Sequence, residues 1–182
     1  MSSDVTPRKM TAEELFGLSI PDKSVELVRG RLVVREPPGF EHAAVAGRLA
    51  HLLSTHVMQR ALGLVLPEAG YKIFADPDTV RAPDVAFIRS EQIPAGPLRG
   101  YAEFAPDLVV EVLSPGDRAG EVLSKIGDWL SAGARLVWVI DPRRRRARVY
   151  RADGSDESLG DEDTLNGEDV VPGFVCRLSE VL

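Results

Sequence analysis

The chain has 182 residues, 44% hydrophobic and 27% charged, the composition of a soluble globular protein long enough to bury one sizeable core. Its formal net charge of -6 excludes a protein that coats nucleic acid by bulk electrostatics, and a single cysteine, Cys176, excludes a disulfide framework or a cysteine-based zinc cluster. No apolar run approaches the roughly 18 residues of a membrane span, and no basic stretch leads into an apolar one near the amino terminus, so a cytoplasmic protein with no membrane partner is expected.

Residues 1–10 are polar and expected to be a flexible amino terminus, with one domain over 11–182. Thr11-Ala12-Glu13-Glu14 has the spacing of a capping box and predicts a short helix to about Leu18. Val25-Glu26-Leu27-Val28 and Arg31-Leu32-Val33-Val34 flank Arg29-Gly30 and read as a hairpin. Glu26 lies inside its first strand, and on the residues alone a solvent-facing position on a half-buried edge strand is as good a reading as a functional one.

From Glu41 to about Leu62, Val45, Leu49, Leu52, Leu53 and Val57 recur at steps of three and four, the stripe of a long amphipathic helix. His42 falls in its first turn, where the helix dipole lowers an imidazole's pKa; it reads either as a neutral ligand or phosphate contact, or as a polar helix end. Leu64–Leu66 and Tyr71–Phe74 are strand-like, and Asp76-Pro77-Asp78 is a turn.

Two short strands then carry one carboxylate each. In Ala82-Pro83-Asp84-Val85-Ala86-Phe87-Ile88, period-two alternation puts Asp84 on the face of Ala86 and Ile88. In Pro106-Asp107-Leu108-Val109-Val110-Glu111-Val112-Leu113 the run is apolar on both faces except at Glu111, as in a central strand. An ionised carboxylate among apolar neighbours is costly unless it pairs or binds a metal. Glu111 therefore reads as a metal ligand, or as a structural glutamate satisfied by an arginine. Ser90–Gly100, between the strands, reads as a mobile loop able to cover a site.

A helix from about Glu121 to Ala132 buries Val122, Ile126, Trp129 and Leu130 and stops at Gly133. Lys125 lies on the flank of that stripe, where its stem can follow the packed face and its ammonium can reach the sheet; a rim lysine is the plainer reading. Leu136–Ile140 is the next buried strand, so a parallel crossover is expected over 107–140. Arg143-Arg144-Arg145-Arg146 is the one basic cluster, suited to phosphate contacts or to a solvated hairpin tip that blunts an edge. Residues 153–169 read as an acidic exposed loop, and 170–182 as a terminal strand and turn that packs back.

Two carboxylates at the ends of adjacent strands suit a hard divalent cation, Mg2+ first and Mn2+ as its substitute, with a lysine that orients or deprotonates water and balances charge. Pro83-Asp84 followed by Glu111-Val112-Leu113-Ser114-Pro115 and Lys125 resembles the Uma2 family of restriction-endonuclease-like proteins, in the PD-(D/E)XK nuclease superfamily. The resemblance extends to Val25-Glu26-Leu27-Val28-Arg29-Gly30, to Glu41-His42, and to the stretch from Gly133 through Trp138 to Asp141-Pro142. It implies an α/β restriction endonuclease-like core, a central mixed sheet flanked by helices with an amino-terminal hairpin. It also implies metal ligands at Asp84 and Glu111, with Glu26 and His42 in support. The residue two after Glu111 is Leu113 where the superfamily has lysine, and Lys125 stands in for it; Trp129 stands where the family has tyrosine, a change expected to keep packing and remove a hydroxyl.

The resulting expectation is a Mg2+-dependent endonuclease acting on DNA, with a homodimer as a way to join two arginine patches. Its rivals are an inactive nuclease-fold module that binds DNA or a protein partner, and a hydrolase of another phosphate ester.

Overall fold

The structure is a computed structural model that describes residues 8–182. Of the residues expected to be flexible at the amino terminus, 1–7 lie outside the described ones. Met10 is tied down, its amide donating to the Gly30 carbonyl at 2.9 Å.

Thr11 and Glu14 form both halves of the capping box at the start of α1 (Ala12–Phe16). The hairpin joins β1 (Ser24–Val28) to β2 (Arg31–Arg35), with Arg29 and Gly30 both at positive φ, as the tight turn between twisted strands requires. The long helix α2 runs Phe40–Gln59 and buries Val45, Leu49, Leu53 and Val57, while Leu52 is half-buried. After β3 (Gly63–Pro67) and β4 (Tyr71–Phe74) comes β5 (Thr79–Arg81), a strand that the sequence reading did not foresee. It pairs with both β1 and β4, giving a four-stranded sheet in the order β2-β1-β5-β4. So β1 is an inner strand, and the expected edge position of Glu26 is corrected.

The central sheet is built from β6 (Val85–Arg89), β7 (Leu108–Val112), β8 (Leu136–Asp141), β9 (Arg146–Arg151) and β10 (Asp156–Leu159), with β3 at its other edge. Its order is β10-β9-β8-β7-β6-β3. Only β7 and β8 run parallel, and α3 (Ala119–Ser131) makes the crossover between them. A mixed α/β fold with a central mixed sheet results, as the resemblance implied.

The pleat sorts the core onto two faces. Val85, Phe87, Leu108, Val110 and Val112 face α2, and Ala86, Ile88, Val109, Val137 and Val139 face Ile126 and Trp129 of α3. A smaller cluster of Ala12, Leu15, Leu27 and Val80 joins α1 to the four-stranded sheet.

The expected acidic loop over 153–169 is instead ordered. It contains β10 and β11 (Thr164–Asn166), the latter pairing with β12 (Val175–Arg177), and each buries one leucine, Leu159 and Leu165. The last residues fold back as expected, with Val171, Phe174, Leu178 and Val181 buried on the α2 side. The loop after β6 leaves the carboxy end of that strand, the end opposite Asp84, so it does not cover a site there.

Candidate active site

Because β6 and β7 are antiparallel with Val85 opposite Val110, the next step of the register sets Asp84 against Glu111. Both belong to the α3 face, so adjacent strands present two carboxylates side by side at one end of the sheet. The Asp84 carboxylate is held by the Val112 amide, which donates to Oδ2 at 2.6 Å.

Glu111 is buried and its two oxygens are separately engaged by α3. Lys125 Nζ donates to Oε2 at 2.8 Å, and Trp129 Nε1 donates to Oε1 at 2.8 Å. Residues 125 and 129 are one turn apart, so a single helix face delivers both donors. The partner of Glu111 is thus a lysine and an indole, not the arginine a structural glutamate was expected to find. Trp129 does more than preserve packing, because its N–H supplies a donor.

Lys125 lies between two acids: its Nζ is also 3.1 Å from Glu26 Oε1 and donates to the Ala82 carbonyl at 3.3 Å. Glu26 is buried, its Oε1 accepting from the Ala82 amide at 3.2 Å and its Oε2 from Arg81 Nη1 at 3.0 Å. Arg81, itself buried, turns the other side of its guanidinium to Asp128 Oδ2, with Nε at 3.2 Å and Nη2 at 2.6 Å.

His42 reaches the site from the first turn of α2, with Nε2 3.3 Å from Asp84 Oδ2. Beyond it, Asp117 Oδ2 accepts from the Ser114 amide at 2.7 Å and closes the turn after β7, while its Oδ1 accepts from Arg35 Nη1 at 3.4 Å.

Charge states follow from these contacts. Burial pushes the Glu111 carboxyl up, Lys125 opposes this, and the charges of Asp84 and Glu26 add to it, leaving a value of about 7. Burial would push Lys125 down, but Glu111 and Glu26 outweigh it and hold the ammonium protonated well above the ordinary lysine range. Glu26 is also pushed up by burial, yet Lys125, Arg81 and the Ala82 amide bring it below the usual carboxylate value. For His42, burial lowers the imidazole while the hydrogen bond and charge of Asp84, then Asp117, raise it further, so its pKa ends above the ordinary value. The expected lowering by the helix dipole is therefore overturned by the neighbouring acids.

Glu26, His42, Asp84, Glu111 and Lys125 all line one cleft of about 570 Å³, walled by the Arg35–Gly39 turn and the Ser114–Asp117 loop. All five come from one chain. Arg143–Arg146 do not line it: they form the exposed tip where β8 turns into β9, with Arg146 the first residue of β9. Since β8 runs parallel to β7, with Val112 beside Ile140, that tip stands at the same end of the sheet. Two of its arginines are already paired, Arg144 with Asp141 at 3.1 Å and Arg145 with Asp161 at 2.7 Å.

Among the described residues no group of three or more His, Cys, Asp and Glu side chains is gathered in a metal-holding arrangement. Two carboxylates suffice for a cation that keeps several waters, and an oxygen-only pair suits Mg2+ or Mn2+. The charge balance is acidic as well, with Glu26, Asp84, Glu111, Asp117 and Asp128 set against Arg35, Arg81 and Lys125, and His42 beside Asp84.

Sequence reasoning missed Arg81, Asp128, Asp117 and the donor role of Trp129. A signal existed for Asp128, three residues after Lys125 on a helix and hence on nearly the same face. Arg81 had none, because its strand was not foreseen.

Among solved structures, the chain is similar to a putative nuclease belonging to DUF820 from Anabaena variabilis, with a TM-score of 0.83 at 20% identity, over 94% of this chain and 97% of that one. That likeness concerns the fold. No relative among curated proteins matches. The profile of the Uma2 family, described as "Putative restriction endonuclease", matches residues 12–179, and the chain belongs to that family.

Proposed function

We propose that this chain is a Mg2+-dependent endonuclease that hydrolyses phosphodiester bonds in DNA. The observation that carries the reading is the side-by-side placement of Asp84 and Glu111 on antiparallel strands, with the Lys125 ammonium 2.8 Å from Glu111 in the same cleft. Asp84 and Glu111 are the residues that would hold Mg2+, or Mn2+ in its place. Bound there, the metal would polarise a phosphoryl oxygen and lower the pKa of a water.

The chain's own residues supply the rest. Lys125, kept protonated between two acids, serves as a fixed positive charge for the negative charge that develops on the phosphoryl oxygens. This favours its charge-balancing role over the expected deprotonation of water. His42 orients Asp84 from the α2 side. Glu26, held by the buried Arg81 guanidinium and the Ala82 amide, anchors Lys125 and supports the site. A cytoplasmic setting suits a chain whose one cysteine is buried and free.

The test is cleavage of supercoiled plasmid DNA with Mg2+ or Mn2+ by wild type, Asp84→Ala and Lys125→Gln. Both variants are expected to lose cleavage while keeping a cooperative unfolding transition. Cleavage retained by folded Asp84→Ala would overturn the assigned site.

A second reading, an inactive module that binds DNA or a protein partner, is favoured by one observation: Lys125 and Trp129 already engage both oxygens of Glu111. Calorimetry decides between the two, because the module predicts no Mn2+ binding that depends on Glu111.

A further inference from the structure

Lys125, Glu26, Arg81 and Asp128 form a closed ring of alternating charge. Lys125 Nζ is 3.1 Å from Glu26, Glu26 is 3.0 Å from Arg81, Arg81 is 2.6 Å from Asp128, and α3 returns from Asp128 to Lys125 within one turn. Two members come from the four-stranded sheet and two from α3, so the ring fastens the hairpin sheet to the helix that carries the lysine. Arg81 is buried and turns three nitrogens to two carboxylates, Nε and Nη2 to Asp128 Oδ2 and Nη1 to Glu26 Oε2. A planar group that spans two carboxylates in this way is one that lysine cannot reproduce.

The geometry gives this ring work beyond docking. Nζ of Lys125 lies at similar distances from Glu111 and Glu26, so the two carboxylates compete for one ammonium. Arg81 spends part of the Glu26 charge and so weakens its hold on Lys125. The next residue, Ala82, then places its amide on Glu26 and its carbonyl under Lys125. Only Pro83, with its fixed φ, separates Ala82 from Asp84. Fixing Arg81 thus fixes both the lysine and the segment that presents the first carboxylate.

We propose that Arg81, itself held by Asp128, is a positioning residue that keeps the Lys125 ammonium on Glu111 rather than on Glu26. The proposal rests on the role given to Lys125 above. Arg81 touches no reacting atom, and its effect passes through Glu26 and Ala82.

The test compares wild type, Arg81→Gln and Asp128→Asn at matched folded fraction, checked by circular dichroism and thermal unfolding. Three quantities are read: the solvent-shielded 1H–15N ammonium signal of Lys125, assigned by its disappearance in Lys125→Gln; Mn2+ binding by calorimetry; and kcat and KM for plasmid nicking. Arg81→Gln is expected to lose the ammonium signal and to lower kcat about 100-fold, the cost of a misplaced catalytic group, with KM and Mn2+ binding retained. Asp128→Asn, which keeps both cations, is expected to weaken the signal and lower kcat less.

A Lys125 signal of wild-type intensity in folded Arg81→Gln overturns the proposal. So does a kcat loss that only tracks the loss of folded protein. If Arg81→Gln does not fold, Asp128→Asn carries the same readouts, and an unchanged signal and kcat there overturn it. If wild type binds Mn2+ but cuts no DNA, the endonuclease reading falls, and the ammonium signal alone then decides the role of Arg81.

Discussion

Trp129 gives its only polar hydrogen to a buried carboxylate, so the ring cannot be exchanged for another aromatic without cost. Trp129→Phe keeps most of the apolar surface but leaves Glu111 Oε1 without a donor, a loss expected to cost about 1–3 kcal/mol. Urea unfolding checks this, as a lower midpoint at unchanged slope; an unchanged midpoint would mean that water replaces the indole freely. Glu111 also ties stability to pH. Its folded value of about 7 lies above the ordinary 4.5, so the native state binds more protons than the unfolded chain between those values. Stability from this group is therefore lost as pH rises through that window. His42, raised above 6.5, has the same sign: its contribution is present below 6.5 and lost as pH climbs through the folded value. On the proposed reading, Mn2+ held by Glu111 needs the ionised carboxylate, so its affinity is expected to rise with pH through about 7 with proton release on binding. Thermal unfolding across pH, with and without Mn2+, checks both. In Glu111→Gln the metal-free stability should fall less as pH rises; an identical pH profile in that variant would show that Glu111 is not the group responsible. At this scale the sequence disclosed the oddity of Asp84 and Glu111, because charges inside apolar runs are visible in the order of residues. It did not disclose that Glu26 is buried, since that depends on which strand lies beside it.

The strand beside it is β5, and its three residues are too few for any periodicity to register. By contrast β6, β7 and β8 were legible, because strands covered on both faces read as unbroken apolar runs. β10 and β11 were not, since their charged and polar side chains face solvent and each buries a single leucine. Glycines show the same division between pattern and partner. Gly63 opens β3 at φ +155°, and a Cβ there would stand 2.0 Å from the Ile88 carbonyl oxygen on the paired strand. Gly63→Ala is expected to cost about 1–3 kcal/mol from backbone strain alone, before any weakening of β3–β6 pairing. Gly47, an exposed position in α2 with open space around its missing Cβ, is the counterpart. Gly47→Ala is expected to stabilise by roughly 0.5–1 kcal/mol. Chemical denaturation of the two variants side by side tests the distinction, which fails if both shift the midpoint in the same direction.

Over the whole molecule, on the endonuclease reading a chain of net charge -6 would have to meet a polyanion through a local patch near the cleft. The Arg143–Arg146 tip has that position, since β8 carries it to the sheet end where Glu111 stands. Within it the four arginines are not equivalent. Arg144 and Arg145 are neutralised by Asp141 and Asp161, whereas Arg143 and Arg146 are exposed and form no ion pair among the described residues. Only a cation that is free before binding displaces counterions from DNA at full effect. On the endonuclease reading, the double change Arg143→Ala and Arg146→Ala should weaken binding to a labelled duplex. It should also flatten the plot of log affinity against log salt, by about one unit of slope for each phosphate that is no longer neutralised. Removing Arg144 and Arg145 together should flatten the slope less, because each is already paired with an aspartate and neutralises a phosphate less fully. Mn2+ binding at Asp84 and Glu111 should stay unchanged in both. Fluorescence anisotropy over a salt series, without added metal so that no cleavage intervenes, makes the comparison. Equal slopes for wild type and the Arg143, Arg146 variant would return the tip to its plainer role, a solvated turn that keeps the end of the sheet from pairing with another chain.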